Sequence, residues 1–213
     1  MSRAAHARMP RRRDPEAKRA RLMASARELF AERGYAATTT ADVARHAGVS
    51  EGIVFHQFGS KARLLEAVAA DYGRGLAEAM EAAGLESSME RSIESSLRAA
   101  FAYVRERGAL ARFLQAAPEP GDAAAARRAS RAAIVASIER SLVARRASGA
   151  LRALDPRIVA ELLYALVEAA LIECFLHGDG SRESEYLRET VRCVEGALRA
   201  LPENTPKPRS TAK

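Results

Sequence analysis

The chain has 213 residues, 48% of them hydrophobic and 29% charged, with 8 prolines and 2 cysteines. That length buries a core without disulfides or metals, which excludes a disulfide scaffold, and abundant alanine, leucine, arginine and glutamate with few β-branched runs predicts an all-α protein. The net charge of +7 is unevenly divided: residues 1–63 hold 13 Lys+Arg against 6 Asp+Glu, and residues 64–213 hold 21 of each, so the footprint that attracts phosphate lies in the first third alone.

Residues 1–13 read as a disordered basic arm carrying Arg3, Arg8, Arg11, Arg12 and Arg13. Such an arm either follows a DNA groove or backbone or is a solvated tail without a fixed partner. It has no apolar stretch of the signal-peptide kind, so a cytoplasmic location is expected. Asp14 as N-cap and Pro15 at N1 open a first helix with the stripe Leu22, Ala26, Leu29 and Phe30, and Gly34 closes it. Thr39 is placed to N-cap a short second helix, and Asp42, three residues on, can return the bond as in a capping box. Gly48 stands at the C′ position, where a left-handed conformation costs glycine nothing. Ser50 then caps a third helix, with Val49 and Val54 spaced as a hydrophobic staple. Val43, Ala47, Ile53 and Val54 form the expected small core, and Glu51, Gly52, His56 and Gln57 are left to face outward. Two helices joined by about three or four residues have the spacing of a helix-turn-helix.

The stretch from about Arg19 to Val68, and within it TTTADVARHAGVSEGIVFHQFGSK, resembles the tetracycline-repressor (TetR) family's N-terminal domain. The resemblance implies an all-α fold of about nine helices: a three-helix DNA-binding domain over residues 14–60, a helical effector-binding and dimerisation domain over residues 61–201, and a disordered tail over residues 202–213. It implies phosphate contacts from Thr39, Ser50, His56 and Lys61, and places Glu51, Gly52, Ile53 and Gln57 on or beside the helix entering the major groove. Phe55 departs from the pattern, since the family most often has a tyrosine there whose hydroxyl reaches a phosphate. Thr40 stands where an apolar residue is usual, which predicts looser packing of the second helix.

Ser60 caps a long fourth helix, Lys61 to about Ala83, with Leu64, Leu65, Val68, Tyr72, Leu76 and Met80 on one face. Gly73 and Gly75 inside it read either as a hinge or as close packing against a neighbouring helix. Ser87-Ser88-Met89-Glu90 reads as a capping box for a helix carrying Ile93, Leu97, Phe101 and Val104. A short helix from about Ala109 to Ala117 follows, and Asp122 caps a long one with Ile134, Val135, Ile138 and Leu142. Asp155 and Pro156 open the eighth helix, which ends before Gly178. The ninth begins near Ser181 with Leu187, Val191, Val194, Leu198 and Leu201 on one stripe.

From Ile158 to Leu176 apolar residues cover more than half the helix circumference, more than one buried face requires. Glu161, Glu168 and Glu173 interrupt the run, so it does not read as membrane-spanning. The TetR resemblance supplies the second cover, a homodimer seam of the last two helices, with Leu163, Val167, Leu171, Leu187, Val191, Val194 and Leu198 as its candidates. A two-fold dimer suits double-stranded DNA with a palindromic operator. The same domain is expected to bind a small-molecule effector, with Leu97, Phe101, Phe113, Ile138, Tyr164 and Glu168 lining the pocket or serving as plain core. A carboxylate at Glu168 within an apolar run faces the dimer seam, solvent or a polar ligand group. Cys174 and His177, at i and i+3, are two metal-type ligands without a third, and no metal or cofactor is expected. With no glycine-rich phosphate loop and no Gly-x-Ser-x-Gly elbow, no catalytic site is expected either. Three readings stand: a ligand-responsive transcriptional regulator of the repressor kind; a DNA-binding dimer without an effector, architectural or controlled by another protein; and a helical enzyme with a basic appendage.

Overall fold

The computed structural model describes residues 15–85, 88–116, 121–147, 151 and 154–199. Among them are nine α-helices: α1 Pro15–Ala37, α2 Thr40–His46, α3 Glu51–Phe58, α4 Lys61–Ala83, α5 Met89–Glu106, α6 Gly108–Ala116, α7 Asp122–Ala147, α8 Pro156–Leu171 and α9 Glu183–Leu198. The basic arm, Asp14, Ser87 and the C-terminal tail from Leu201 lie outside the described residues.

Local chemistry accounts for most boundaries. Gly34, at φ 80° and ψ 167°, breaks the α1 path where the sequence predicts its end. Just beyond, the buried Thr38 hydroxyl packs on the carbonyls of Leu29 (3.2 Å) and Gly34 (2.8 Å), tying the break to the helix. Asp155 accepts the backbone N–H of Arg157 and Ile158 and places Pro156 in the first turn of α8, where a missing N–H costs nothing. Three starts differ from expectation. The Ser88 hydroxyl, one residue later than the predicted box, accepts from the Arg91 amide and opens α5. Ser50 occupies the N-cap of α3, but its hydroxyl makes no capping bond. Helix α9 starts at Glu183, after the Ser181 amide has bonded to the Asp179 carboxylate. At the other end of α8, a π-helical turn over Ile172–His177 extends the helix, a feature with no signal in the apolar spacing.

Two large apolar cores and a small third one of Leu76, Ala100 and Ile134 fill the described residues. The first gathers Leu22, Ala26, Leu29 and Phe30 of α1, Val43 and Ala44 of α2, Val54 and Phe58 of α3, and Leu64, Leu65, Val68 and Ala69 of α4. It also takes in Leu110 and Leu114 of α6 and Ala126 of α7, and Phe113 stacks on Phe30 with ring centroids 5.7 Å apart. The head, helices α1–α3, is thus closed from below by α6 and the start of α7. The second large core is built from α5, α7, α8 and α9, with Phe101 fully buried and edge-on to Phe175 at 5.9 Å.

Helix α4 joins the two and lies along α7. A Cβ at Gly73 would overlap the Ser130 backbone of α7, and one at Gly75 would overlap the Tyr103 hydroxyl of α5. The glycines inside α4 therefore serve close helix packing. Among the described residues no buried side-chain polar atom is left without a hydrogen-bond partner, so the interior is also electrostatically settled.

Candidate nucleic-acid interface

The turn between α2 and α3 determines how α3 is presented. Thr39 and Asp42 form the expected box: the Asp42 amide donates to the Thr39 hydroxyl (3.1 Å), and the Thr39 amide donates to the Asp42 carboxylate (3.0 Å). The Thr39 hydroxyl and amide, with Arg45 next to them, hold the Asp42 carboxyl below its ordinary range. At the other end of α2 the Gly48 amide donates to the Arg45 carbonyl (3.2 Å) and the Val49 amide to the Ala44 carbonyl (3.0 Å). That double closure is a Schellman motif, and Gly48 supplies its left-handed residue at φ 66°. Val49, Val54 and the partly buried Ile53 then pack on one cluster.

With its inner face fixed in this way, α3 exposes Glu51, Gly52, Phe55 and His56, preceded by the exposed Ser50, while Ile53 and Gln57 are half-buried at the margins. Phe55 is 49% exposed, high for a phenyl ring. Thr40, where looser packing was expected, makes a specific polar tie: its hydroxyl donates to the Glu51 carboxylate at 2.6 Å, joining α2 to α3. Arg19 of α1 donates to the Gln57 backbone carbonyl (3.3 Å), and its guanidinium lies 4.4 Å from the Phe58 ring centroid. Thr39 is exposed at the start of α2, and Lys61 is half-buried at the start of α4 with its ammonium 4.1 Å from the Tyr35 ring centroid. The nine sequence-predicted residues thus lie on α3 and the two helix starts beside it.

Two ties behind this surface escaped sequence reasoning. The Tyr35 hydroxyl donates to Asp122 at 2.7 Å, linking the end of α1 to the start of α7. Only the spacing of an aromatic after Gly34 hinted at it, since the partner is 87 residues away. His46 bridges α2 to α1, its Nδ1 3.0 Å from the Ser25 hydroxyl and its Nε2 3.7 Å from Glu28. The residue types are those of a hydrolytic triad, but Ser25 is buried beneath the ring, so the arrangement binds two helices together.

Residues 22–68 match the profile of the bacterial regulatory proteins of the tetR family. The head is similar to the DNA-binding domain of the TetR family. A transcriptional repressor from Mycobacterium tuberculosis, Rv3405c, is 36% identical over 75 residues, which are 35% of this chain and 40% of that protein. The chain thus spans less than half the length of the curated relative it matches. Over nearly the whole fold it is similar to a TetR-family regulator from Rhodococcus sp., with TM-score 0.73, 22% identity and 86% and 100% of the two chains covered. The same holds for the TetR-family repressor FadR of Thermus thermophilus, solved in complex with lauroyl-CoA, with TM-score 0.66, 22% identity and 88% and 98% covered.

Behind the TetR-like head, helices α4–α8 redistribute the expected pocket residues. Ile138, Tyr164 and Glu168 line one cavity between α4, α5, α6, α7 and α8, and the Tyr164 hydroxyl donates to Glu168 at 2.5 Å. Burial, then the Glu168 bond, pushes the Tyr164 phenol well above its usual range, so it stays a hydrogen-bond donor. Leu97 lines a separate groove farther from the head. Phe101 and Phe113 are corrected: Phe101 is fully buried against Phe175, and Phe113 packs on Phe30 in the head's core.

The residues expected at the dimer seam lie in or against the core of the single chain. Leu163, Val167, Leu171, Leu187, Val194 and Leu198 are buried in the chain's own core, and Val191 is packed against it. The open face of α8 is one position earlier, with Ile158 58% and Leu162 64% exposed and Ala165 and Ala169 continuing the stripe. The surplus of apolar residues along α8 is real, but the inward set is the one the chain covers itself. Among the described residues no helix is long and apolar enough to cross a membrane, and no three His, Cys, Asp or Glu side chains are grouped to hold a metal ion. Burial raises the Cys174 thiol above its ordinary range, which makes it a core side chain rather than a reactive one.

Proposed function

We propose that the protein is a ligand-responsive, dimeric transcriptional regulator, a repressor that leaves its operator when a small-molecule effector fills the second domain. The observation that carries this reading is the outward face of α3, held by the Schellman turn at Gly48 within the segment that contains the whole positive excess. In it α3 enters the major groove, with Glu51, Gly52, Ile53 and Gln57 at base edges and Thr39, Ser50, His56 and Lys61 at phosphates. The Ser50 hydroxyl makes no capping bond, which suits it to a phosphate oxygen. Phe55 lacks the hydroxyl of a tyrosine and offers the groove an apolar contact. Glu51, held by Thr40, is a rigid acceptor, the group that suits a cytosine amino group.

The open stripe Ile158, Leu162, Ala165 and Ala169 supports a homodimer through α8 and α9, and two copies fit a palindrome with half-sites about 34–36 Å apart. The cavity behind the head favours effector control over a purely architectural role. A route from cavity to head runs through shared residues: Leu114 and Ala126 line the cavity and belong to the head's core. Asp122, one turn before Ala126, holds the Tyr35 hydroxyl, and the Tyr35 ring carries Lys61.

Two substitutions test these roles. Lys61→Ala is expected to weaken binding to every duplex similarly and to reduce the salt slope of log K by about 2 for the dimer, one phosphate contact from each copy; fluorescence anisotropy across a salt series reads this, and a loss confined to one sequence removes Lys61 from the phosphate set. Tyr35→Phe removes the hydroxyl that bonds to Asp122 and keeps the ring. It is expected to keep DNA affinity within about threefold while weakening effector-induced release, since a net hydrogen bond is worth about 1 kcal/mol. Unchanged release would take Tyr35 out of the coupling route.

A further inference from the structure

Glu51 and Phe55 stand four residues apart on α3, and both are exposed. Positions i and i+4 of a helix share a face and lie about 6 Å apart along its axis. Stacked base pairs rise about 3.4 Å each, so two such side chains meet pairs one or two steps apart. The residue between them and the helix start, Gly52, carries no side chain, and a Cβ there would meet nothing within 4 Å; this end of α3 can approach base edges closely. Glu51 is also held. The Thr40 hydroxyl, on the first turn of α2, donates to its carboxylate at 2.6 Å, and the closure at Gly48 fixes α2 against α3. One such bond uses one of the carboxylate's roughly four acceptor sites and leaves the others for a base edge.

Resting on the regulator reading above, we propose that Thr40 is a positioning residue for sequence reading: it holds the Glu51 carboxylate at the amino group of a cytosine, while Phe55 covers the methyl group of a thymine one or two pairs away. Each operator half-site therefore holds a C·G pair and a T·A pair within two steps of each other. The bases follow from the chemistry of the two side chains. A carboxylate only accepts hydrogen bonds, and in the major groove cytosine offers an amino donor alone, whereas adenine sets an N7 acceptor beside its amino group. A phenyl ring forms no hydrogen bond there and gains by covering a methyl group, which only thymine presents.

The Thr40 bond acts on discrimination more than on affinity. An exposed glutamate that is free to rotate turns into solvent when it meets an acceptor edge, so a wrong base costs little. Tied to α2, the carboxylate stays in place and is repelled by the acceptor edges of guanine and thymine, which is the repulsive element that specificity needs. Fixing the side chain before binding also removes part of the rotamer entropy that a glutamate otherwise loses in the complex.

The test uses the full chain and the duplex it enriches from a random pool, read by anisotropy, with each base change made in one half-site only. Replacing the C·G pair by T·A is expected to weaken the unaltered chain roughly tenfold. In Thr40→Val, which keeps the shape and loses the hydroxyl, that ratio is expected to fall below about threefold, and Thr40→Ser to restore it. Glu51→Gln is expected to move the preference at that pair from cytosine toward adenine, since an amide both donates and accepts. Deoxyuridine in place of the thymine removes only the methyl group; it is expected to weaken the unaltered chain about fourfold, with little effect on Phe55→Ala. Both base changes test the assignments without any variant. A Thr40→Val chain that weakens every duplex alike and keeps the full ratio would reduce the bond to a tie between helices and overturn the positioning role. A half-site whose preference ignores Glu51→Gln, or deoxyuridine tolerated by the unaltered chain, would overturn the base assignments. All these outcomes start from an enriched duplex, whereas a pool that yields none would overturn the regulator reading itself.

Discussion

Replacing Ile158 and Leu162 together with glutamate is expected to turn a dimer into a monomer and to cut affinity for a two-half-site duplex by roughly 10²–10⁴-fold, the usual gain from linking two binding events. Both side chains are more than half exposed and lie one turn apart on α8. The substitutions remove little from the chain's own core, so the fold is expected to lose no more than about 0.5 kcal/mol per exposed site. In a dimer the four glutamates would face one another across a two-fold seam, where like charges without partners cost several kcal/mol. Light scattering gives the mass and anisotropy the affinity. A double variant that stays dimeric would place the seam elsewhere. The contrast with Leu163 is instructive: Leu163→Ala empties a core position and is expected to cost about 2–5 kcal/mol of stability whatever the oligomeric state.

Gly73→Leu is expected to lower the melting temperature by about 6–12 °C. Two effects compete at this site. A side chain in a helix interior gains about 1 kcal/mol over glycine, but here a Cβ already overlaps backbone atoms of Ser130, which cannot rotate away. Separating α4 from α7 along their length is a small-to-large insertion into a packed seam, typically costing about 1–3 kcal/mol and more for a branched side chain against backbone. At about 3 kcal/mol the shift for a chain of this size is the one stated, taking about 2–4 °C per kcal/mol. By contrast Gly52→Ala, where a methyl meets nothing within 4 Å, is expected to leave the melting temperature unchanged or slightly higher. If Gly73→Leu melted with the parent, α4 would be free to move against α7, and the hinge reading of its glycines would return.

The legible parts of this protein are those governed by short-range chemistry. The Thr39–Asp42 box, Gly48, the break at Gly34 and the Asp155–Pro156 start each involve residues within about five positions, and the spacing alone announces them. The exposed face of α3 followed from the same local rules. What sequence reading missed depends on which neighbour an element meets. Helix α8 has apolar residues on two sides, and periodicity alone does not say which side the chain covers for itself; contact with α5, α7 and α9 assigns Leu163 and Val167 inward and leaves Ile158 and Leu162 outside. Phe113 read as a pocket residue because α6 was placed in the second domain, while in the structure α6 is the floor of the head. The Tyr35–Asp122 bond joins residues 87 positions apart and so depends on tertiary contact, and the π-helical turn after α8 has no signal in the apolar spacing.

The central claim is that α3 reads base pairs in two copies at once. The most direct measurement is selection of duplexes from a random-sequence pool by the full chain, with sequencing of the bound fraction. The expected result is an enriched palindrome whose half-sites are about one helical turn apart or a multiple of it, with base preference at one position in each half-site altered by Gln57→Ala. A bound fraction with no sequence enriched, or a palindrome unchanged by every substitution on the α3 face, would contradict it.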